Sequence, residues 1–165
     1  MIEVFPLQSR LEHYIDERAV QVWRLTAIVI NVVIVAIYGA VFLIFPSFRD
    51  MTMLHIGLGM TLFIHILFTI FIFPRLRWQR WRYAIQAQEI DLQHGVFITK
   101  KTLVPMIRVQ HVDIRQGPFL RKYGLAAVEI TTAATTHEIP AVAVEEAERL
   151  RNQLSALARV ATEDV

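Results

Sequence analysis

With 165 residues, no cysteine and a formal net charge of only +2, the chain has no disulfide, no thiolate metal site, no cysteine nucleophile and no overall pull toward nucleic acid. Hydrophobic residues make up 55% of it, more than a soluble domain of this size carries, and they concentrate between Leu25 and Phe73. The composition therefore predicts a membrane segment joined to a domain of ordinary mixed polarity.

The N-terminal arm, residues 1–24, places Leu11, Ile15, Ala19 and Val22 at helical spacing with Glu12, Asp16, Glu17 and Gln21 between them. That pattern predicts a short amphipathic helix along the membrane surface. The acidic residues and the lack of a small-residue cleavage site argue against a secretory signal. Residues 25–45 then run without a charge, and residues 51–73 do so again without Asp, Glu, Lys or Arg. Each run is long enough to cross a bilayer as a helix. Only Pro46–Asp50 separates them, so residues 25–73 are expected to form an antiparallel transmembrane hairpin. The connecting loop carries only Arg49, whereas Arg10, Arg18 and Arg24 precede the hairpin and Arg75, Arg77, Arg80 and Arg82 follow it. Positive flanks stay inside, which puts both termini in the cytoplasm.

Within the spans the polar residues worth weighing are Asn31, His55 and His65. Paired histidines raise a haem or quinone subunit as one function class. However, a ten-residue separation puts His55 and His65 about 15 Å and about 80° apart on one helix, so they do not share one iron there. Neutral histidines bonded to the partner helix or to water are the structural reading. Gly57 with Thr61, and Ala36 with Ala40, have the spacing of close helix packing, either within the hairpin or in a dimer.

Residues 74–83 form a basic and aromatic collar. Arg75, Arg77, Arg80 and Arg82 would each gain about 1 kcal/mol from anionic headgroups, and Trp78 and Trp81 would settle at the interface. A topology anchor is the structural reading, and an anionic-lipid site is the functional one.

From residue 84 to 165 the pattern becomes that of a separate domain. Ile85, Ala87, Ile90 and Leu92 alternate as a half-buried strand does. His94–Gly95 reads as a turn, Val96–Phe97–Ile98 as the start of another strand, and Lys100–Lys101 as a loop or strand edge. Pro105 precedes a looser alternation through Ile107, Val109, Val112 and Ile114. Gln116–Pro118 breaks it, Phe119–Tyr123 forms a helical turn ending at Gly124, and a β pattern resumes from Leu125 to Pro140. Glu145–Val160 carries an apolar stripe through Ala147, Leu150, Leu154 and Leu157, with glutamates at its start. Short strands followed by one helix predict an α+β domain closed by that helix.

No catalytic set emerges. His94, His111 and His137 lack metal-ligand spacing, and the chain has no glycine-rich phosphate loop and no serine elbow. The expectation is a non-enzymatic protein with no metal and no cofactor. Arg108 and Gln110 are expected to share a strand face, bonding a neighbouring strand or a partner. Arg121–Lys122, after a Gly–Pro turn, are either a solvated loop or a phosphate-binding pair.

The stretch from Gly95 to Ala147 resembles the bacterial pleckstrin-homology-like domain family of YdbS-type membrane proteins. The residues that carry the resemblance are Gly95–Val96–Phe97, Pro105 with Arg108–Val109–Gln110–His111–Val112, Gly117–Pro118, Arg121, Gly124–Leu125, Val128–Ala133 and Ile139–Pro140. Trp23–Arg24–Leu25, at the entry to the first span, extends it to most of the chain. The resemblance implies a pleckstrin-homology-like split β-barrel, with seven strands in two sheets and a C-terminal capping helix, in the bacterial cytoplasmic membrane. It also implies work beside a larger membrane partner with related domains, or self-association. Two departures stand out: only Thr99–Lys100–Lys101–Thr102 follows the Gly–Val segment where relatives carry a longer basic run, and Thr131–His137 contains no glycine. The expected function is protein–protein assembly at the membrane, with candidate interface residues Trp78, Trp81, Arg108, Gln110, Arg121 and Lys122. The alternative is an anionic-lipid sensor using Arg75, Arg77, Arg80, Arg82, Lys100 and Lys101.

Overall fold

A computed structural model describes residues 13–46 and 50–163; the readings placed on Arg10, Leu11, Glu12 and Arg49 lie outside the described residues. Helix α1 spans Ala19–Ile44. The returning helix comes in three pieces: α2 at Thr52–Leu67, a wider π turn at Phe68–Ile72, and α3 at Phe73–Arg80. Both α1 and the combined helix from Thr52 to Arg80 are long and apolar enough to cross a membrane. Pro74 accounts for the π turn. Its ring offers no N–H to the preceding turn and crowds the carbonyl there, so the helix widens just before it.

Polar pairs hold the two helices together. Asn31 is buried and donates from Nδ2 to the Ala27 carbonyl at 2.8 Å and to Thr69 Oγ1, inside the π turn, at 3.1 Å. Nearer the hairpin loop, the Tyr38 hydroxyl lies 2.7 Å from His55 Nδ1. The small residues do not serve the hairpin as their spacing predicted. A Cβ at Gly57 would meet nothing within 4 Å, and Thr61, Ala36 and Ala40 face outward.

The β domain consists of two antiparallel sheets. The first orders β1 (His13–Tyr14), β2 (Arg82–Ile85), β3 (Glu89–His94) and β4 (Lys100–Pro105), and the second orders β5 (Val109–Arg115), β6 (Leu125–Thr132) and β7 (Thr136–Ala143). A short helix α4 (Pro118–Lys122) joins β5 to β6, and α5 (Val144–Glu163) closes the domain. Ile90 and Leu92 point inward by alternation, and with Val104, Leu125, Val128, Ile130 and Ile139 they meet Leu150 and Leu154 of α5 in one core. The architecture is the expected α+β, pleckstrin-homology-like one, with seven strands and a C-terminal helix among the described residues.

One part of the expectation is corrected. Over its described residues, 13–24, the arm is a short strand followed by the first turns of α1 rather than a surface helix. Residues 13–14 are a strand that pairs with β2, His13 opposite Tyr83 and Tyr14 opposite Arg82, and Ile15, Ala19 and Val22 lie 2%, 0% and 5% exposed in the domain core. The apolar stripe covers the β domain rather than the bilayer. The two helices are therefore inserted between β1 and β2 of the first sheet. Beyond the β1–β2 ladder, hydrogen bonds fasten the described part of the arm: Trp78 Nε1 donates to the Ile15 carbonyl (3.0 Å), the Asp16 amide to the Ala141 carbonyl (3.1 Å), and Arg18 Nη1 to the Tyr123 carbonyl (3.1 Å).

Two local readings also change. Val96–Ile98 form a loop, and the strand opens only at Lys100. Gly95 explains this. It sits at φ +111°, and a Cβ there would lie 2.0 Å from the Ile98 carbonyl oxygen, so the chain curls tightly. Arg108 and Gln110 do not share a strand face. Met106 turns into the core at 0% exposure within a 3-10 turn at Met106–Arg108, and Gln110 sits in a bulge of β5.

Candidate membrane-surface site

The collar divides into residues that hold the fold and residues that face outward. Trp81 is 5% exposed and stacks on His94 with ring centres 5.6 Å apart. Trp78 packs beside Tyr14 and spends its N–H on the Ile15 carbonyl. Trp81 is enclosed and Trp78 half-buried, because the domain sits directly on the helix ends. Arg77 lies over the Trp23 ring at 4.2 Å and Arg82 over the Tyr14 ring at 4.7 Å, so each already has an aromatic partner. Arg75 and Arg80 are exposed, as are Lys100 and Lys101 at the start of edge strand β4.

Strand register places Lys100 and Lys101 at the Arg82 end of the sheet. Arg82 opposes Gln93, and Gln93 and His94 oppose Lys101 and Lys100, so the β3–β4 turn emerges where the second helix ends. Burial, with the positive charges of Lys100 and Arg77 close by, lowers the His94 pKa below its ordinary value. Burial also pushes the Tyr83 hydroxyl up to about 12. Arg121 and Lys122 are exposed on α4, which lies against the start of α1 through the Arg18–Tyr123 bond.

Arg108 and Gln110 lie elsewhere. They line a cleft of about 450 Å³ between β4 and the β6–β7 turn, with Leu103, Ile107, Thr135 and His137. Leu103 and Ile107 are 51% and 50% exposed. Gln110 also borders a second groove of about 480 Å³, between β5 and α5, with His111, Ser155 and Arg159. Both grooves run beside strands at sheet edges. In the hairpin, His55 is packed against Tyr38 and Phe42, and His65 lines a groove of about 330 Å³ with Ile34, Leu58 and Leu62.

The sequence reads Val96–Phe97–Ile98 as the opening of a strand and Ile107 as part of an alternating one, yet Phe97, Ile98 and Ile107 are exposed; Leu103, on the outer face of β4, carries no sequence signal of its own. The usable signal was Gly95, whose turn ends the alternation.

The chain matches the family model described as the Bacterial PH domain over residues 18–158, hairpin included. It is 43% identical over 159 residues to the UPF0699 transmembrane protein YdbS of Bacillus subtilis (strain 168), covering 96% of this chain and all of the relative. A second relative, the UPF0699 transmembrane protein YdbT of the same organism, is 32% identical over 80 residues, which is 46% of this chain and 16% of that one. No solved structure matches. A β domain built around two membrane helices, matched along nearly its whole length, places this chain in the bacterial PH domain family, among the UPF0699 transmembrane proteins.

Proposed function

We propose that this chain is a non-enzymatic assembly module of the membrane, whose β domain docks a membrane-protein partner carrying related domains. The observation that carries the reading is the cleft between β4 and the β6–β7 turn. It is open, edged by unpaired strand, and combines exposed Leu103 and Ile107 with Arg108 and Gln110. The similarity to one stretch of a much longer protein, in an organism that also has a full-length relative, supports a partner of related build. In this reading the protein is multi-pass with both termini in the cytoplasm. Support comes from the arginine-rich flanks and from β1 pairing with β2, which requires both ends of the hairpin on one side.

Crosslinking in native membranes, mild solubilisation and mass spectrometry test the proposal. A stoichiometric membrane partner is expected, and it should be lost from the Leu103→Asp/Ile107→Asp/Arg108→Ala variant. Recovery of the protein alone with anionic lipid would favour a second reading, an anionic-lipid sensor. The exposed set Arg75, Arg80, Lys100 and Lys101 supports that reading, whose binding should weaken steeply with salt.

A further inference from the structure

Outside the two membrane helices, the exposed large apolar side chains are mostly half-covered: Tyr14, Leu103, Ile107 and Val160 lie between 50% and 55% exposed. Phe97 and Ile98 stand apart at 81% and 85%. They are adjacent, at the tip of the β3–β4 loop, and the loop is built to present them. Gly95 at φ +111° lets the backbone close onto the Ile98 carbonyl, and that curled backbone leaves the two side chains pointing away from the core. An apolar pair held in water by a tight turn calls for an apolar environment to receive it.

The position of the loop identifies that environment. β3 runs toward the end of the second membrane helix, with Gln93 beside Arg82 and the His94 ring stacked on Trp81. The loop leaves β3 at this point, and two further residues add about 7 Å of reach. The flanking charges suit an anionic surface. Lys100 and Lys101 follow the tip after Thr99, exposed Arg80 lies on the neighbouring helix, and residues 92–112 contain no Asp or Glu.

We propose that the β3–β4 loop is a third membrane contact, in which Phe97 and Ile98 dip into the headgroup–acyl boundary while Lys100 and Lys101 meet anionic headgroups. The contact fixes the β domain against the bilayer and leaves the cleft at Leu103 and Ile107, on the far half of β4 and beyond, facing water. It does not depend on the assembly reading and stands whether or not that cleft has a partner.

The absence of cysteine makes the test clean, because one introduced cysteine gives one labelled site in the full-length protein. Phe97→Cys, Ile98→Cys and, as controls, Leu103→Cys and Ile107→Cys would each carry an environment-sensitive fluorophore in vesicles of phosphatidylcholine and phosphatidylglycerol. Probes at 97 and 98 should emit to the blue of the controls, and nitroxide-labelled lipid should quench them several-fold more than it quenches the controls, with iodide showing the reverse order. Iodide quenching at 97 and 98 equal to that at 103 would overturn the proposal. Protection of 97 and 98 from both quenchers would overturn it too, because that result places protein over the loop.

Discussion

Asp16 sets the turn from which the first membrane helix starts. Its carboxylate accepts from the Arg18 amide at 2.8 Å, from Nε at 3.0 Å and from Nη2 at 2.8 Å. These bonds to Arg18 hold the carboxyl below its usual range. A depressed carboxyl pKa means stability that is present above the unfolded value and lost as pH falls through about 4 and below. Asp16→Ala should therefore cost about 1–2 kcal/mol at neutral pH, shrinking in acid, as read by melting in detergent across pH. His94 acts in a higher window. Its folded pKa lies below the ordinary histidine value, so the unfolded chain takes up the proton first and stability should decline as pH falls below about 6.5. His94→Phe keeps a ring against Trp81 and should flatten that part of the profile. Asn31 and Thr69 should show a coupling of about 0.6 kcal/mol in a double-mutant cycle with Asn31→Leu and Thr69→Val, measured by unfolding in mixed micelles.

At the scale of elements, the arm at residues 13–22 decides how the domain must be handled. Ile15 is fully enclosed, and Ile15→Ala should cost about 2–4 kcal/mol, read as a lowered melting midpoint of the purified protein. A fragment starting at residue 84 would lack Ile15, Ala19, Val22, Trp81 and Tyr83, all of them core residues. It should show poor amide dispersion by NMR and no cooperative melting. The helices, the alternating strands and α5 were legible because each has a local period that reports its own burial. The arm was not. A stripe of Ile15, Ala19 and Val22 looks the same whether lipid or a sheet covers it, and β1 finds its partner only across the intervening hairpin. Trp78 and Trp81 show a related ambiguity: tryptophan beside arginine after a span has the composition of an interface belt, but here the domain buries Trp81 and half-covers Trp78.

For the whole molecule, the fold class was readable and the surface was not. The β3–β4 tip and Ile107 read as strand in the sequence, and Gly95 and the Met106–Arg108 turn redirect them outward, whereas Leu103 takes the outer face of β4. The insertion of the hairpin between β1 and β2 carries a further consequence, for biogenesis. The first strand leaves the ribosome before either helix, while its neighbour in the sheet is made after both. In the proposed multi-pass topology the sheet therefore closes only once the chain has crossed the bilayer twice and returned to the side it left. A nascent chain that inserts one helix alone strands its two halves on opposite faces of the membrane. Such a chain exposes an incomplete core on each side, so completion of the β domain reports that insertion succeeded.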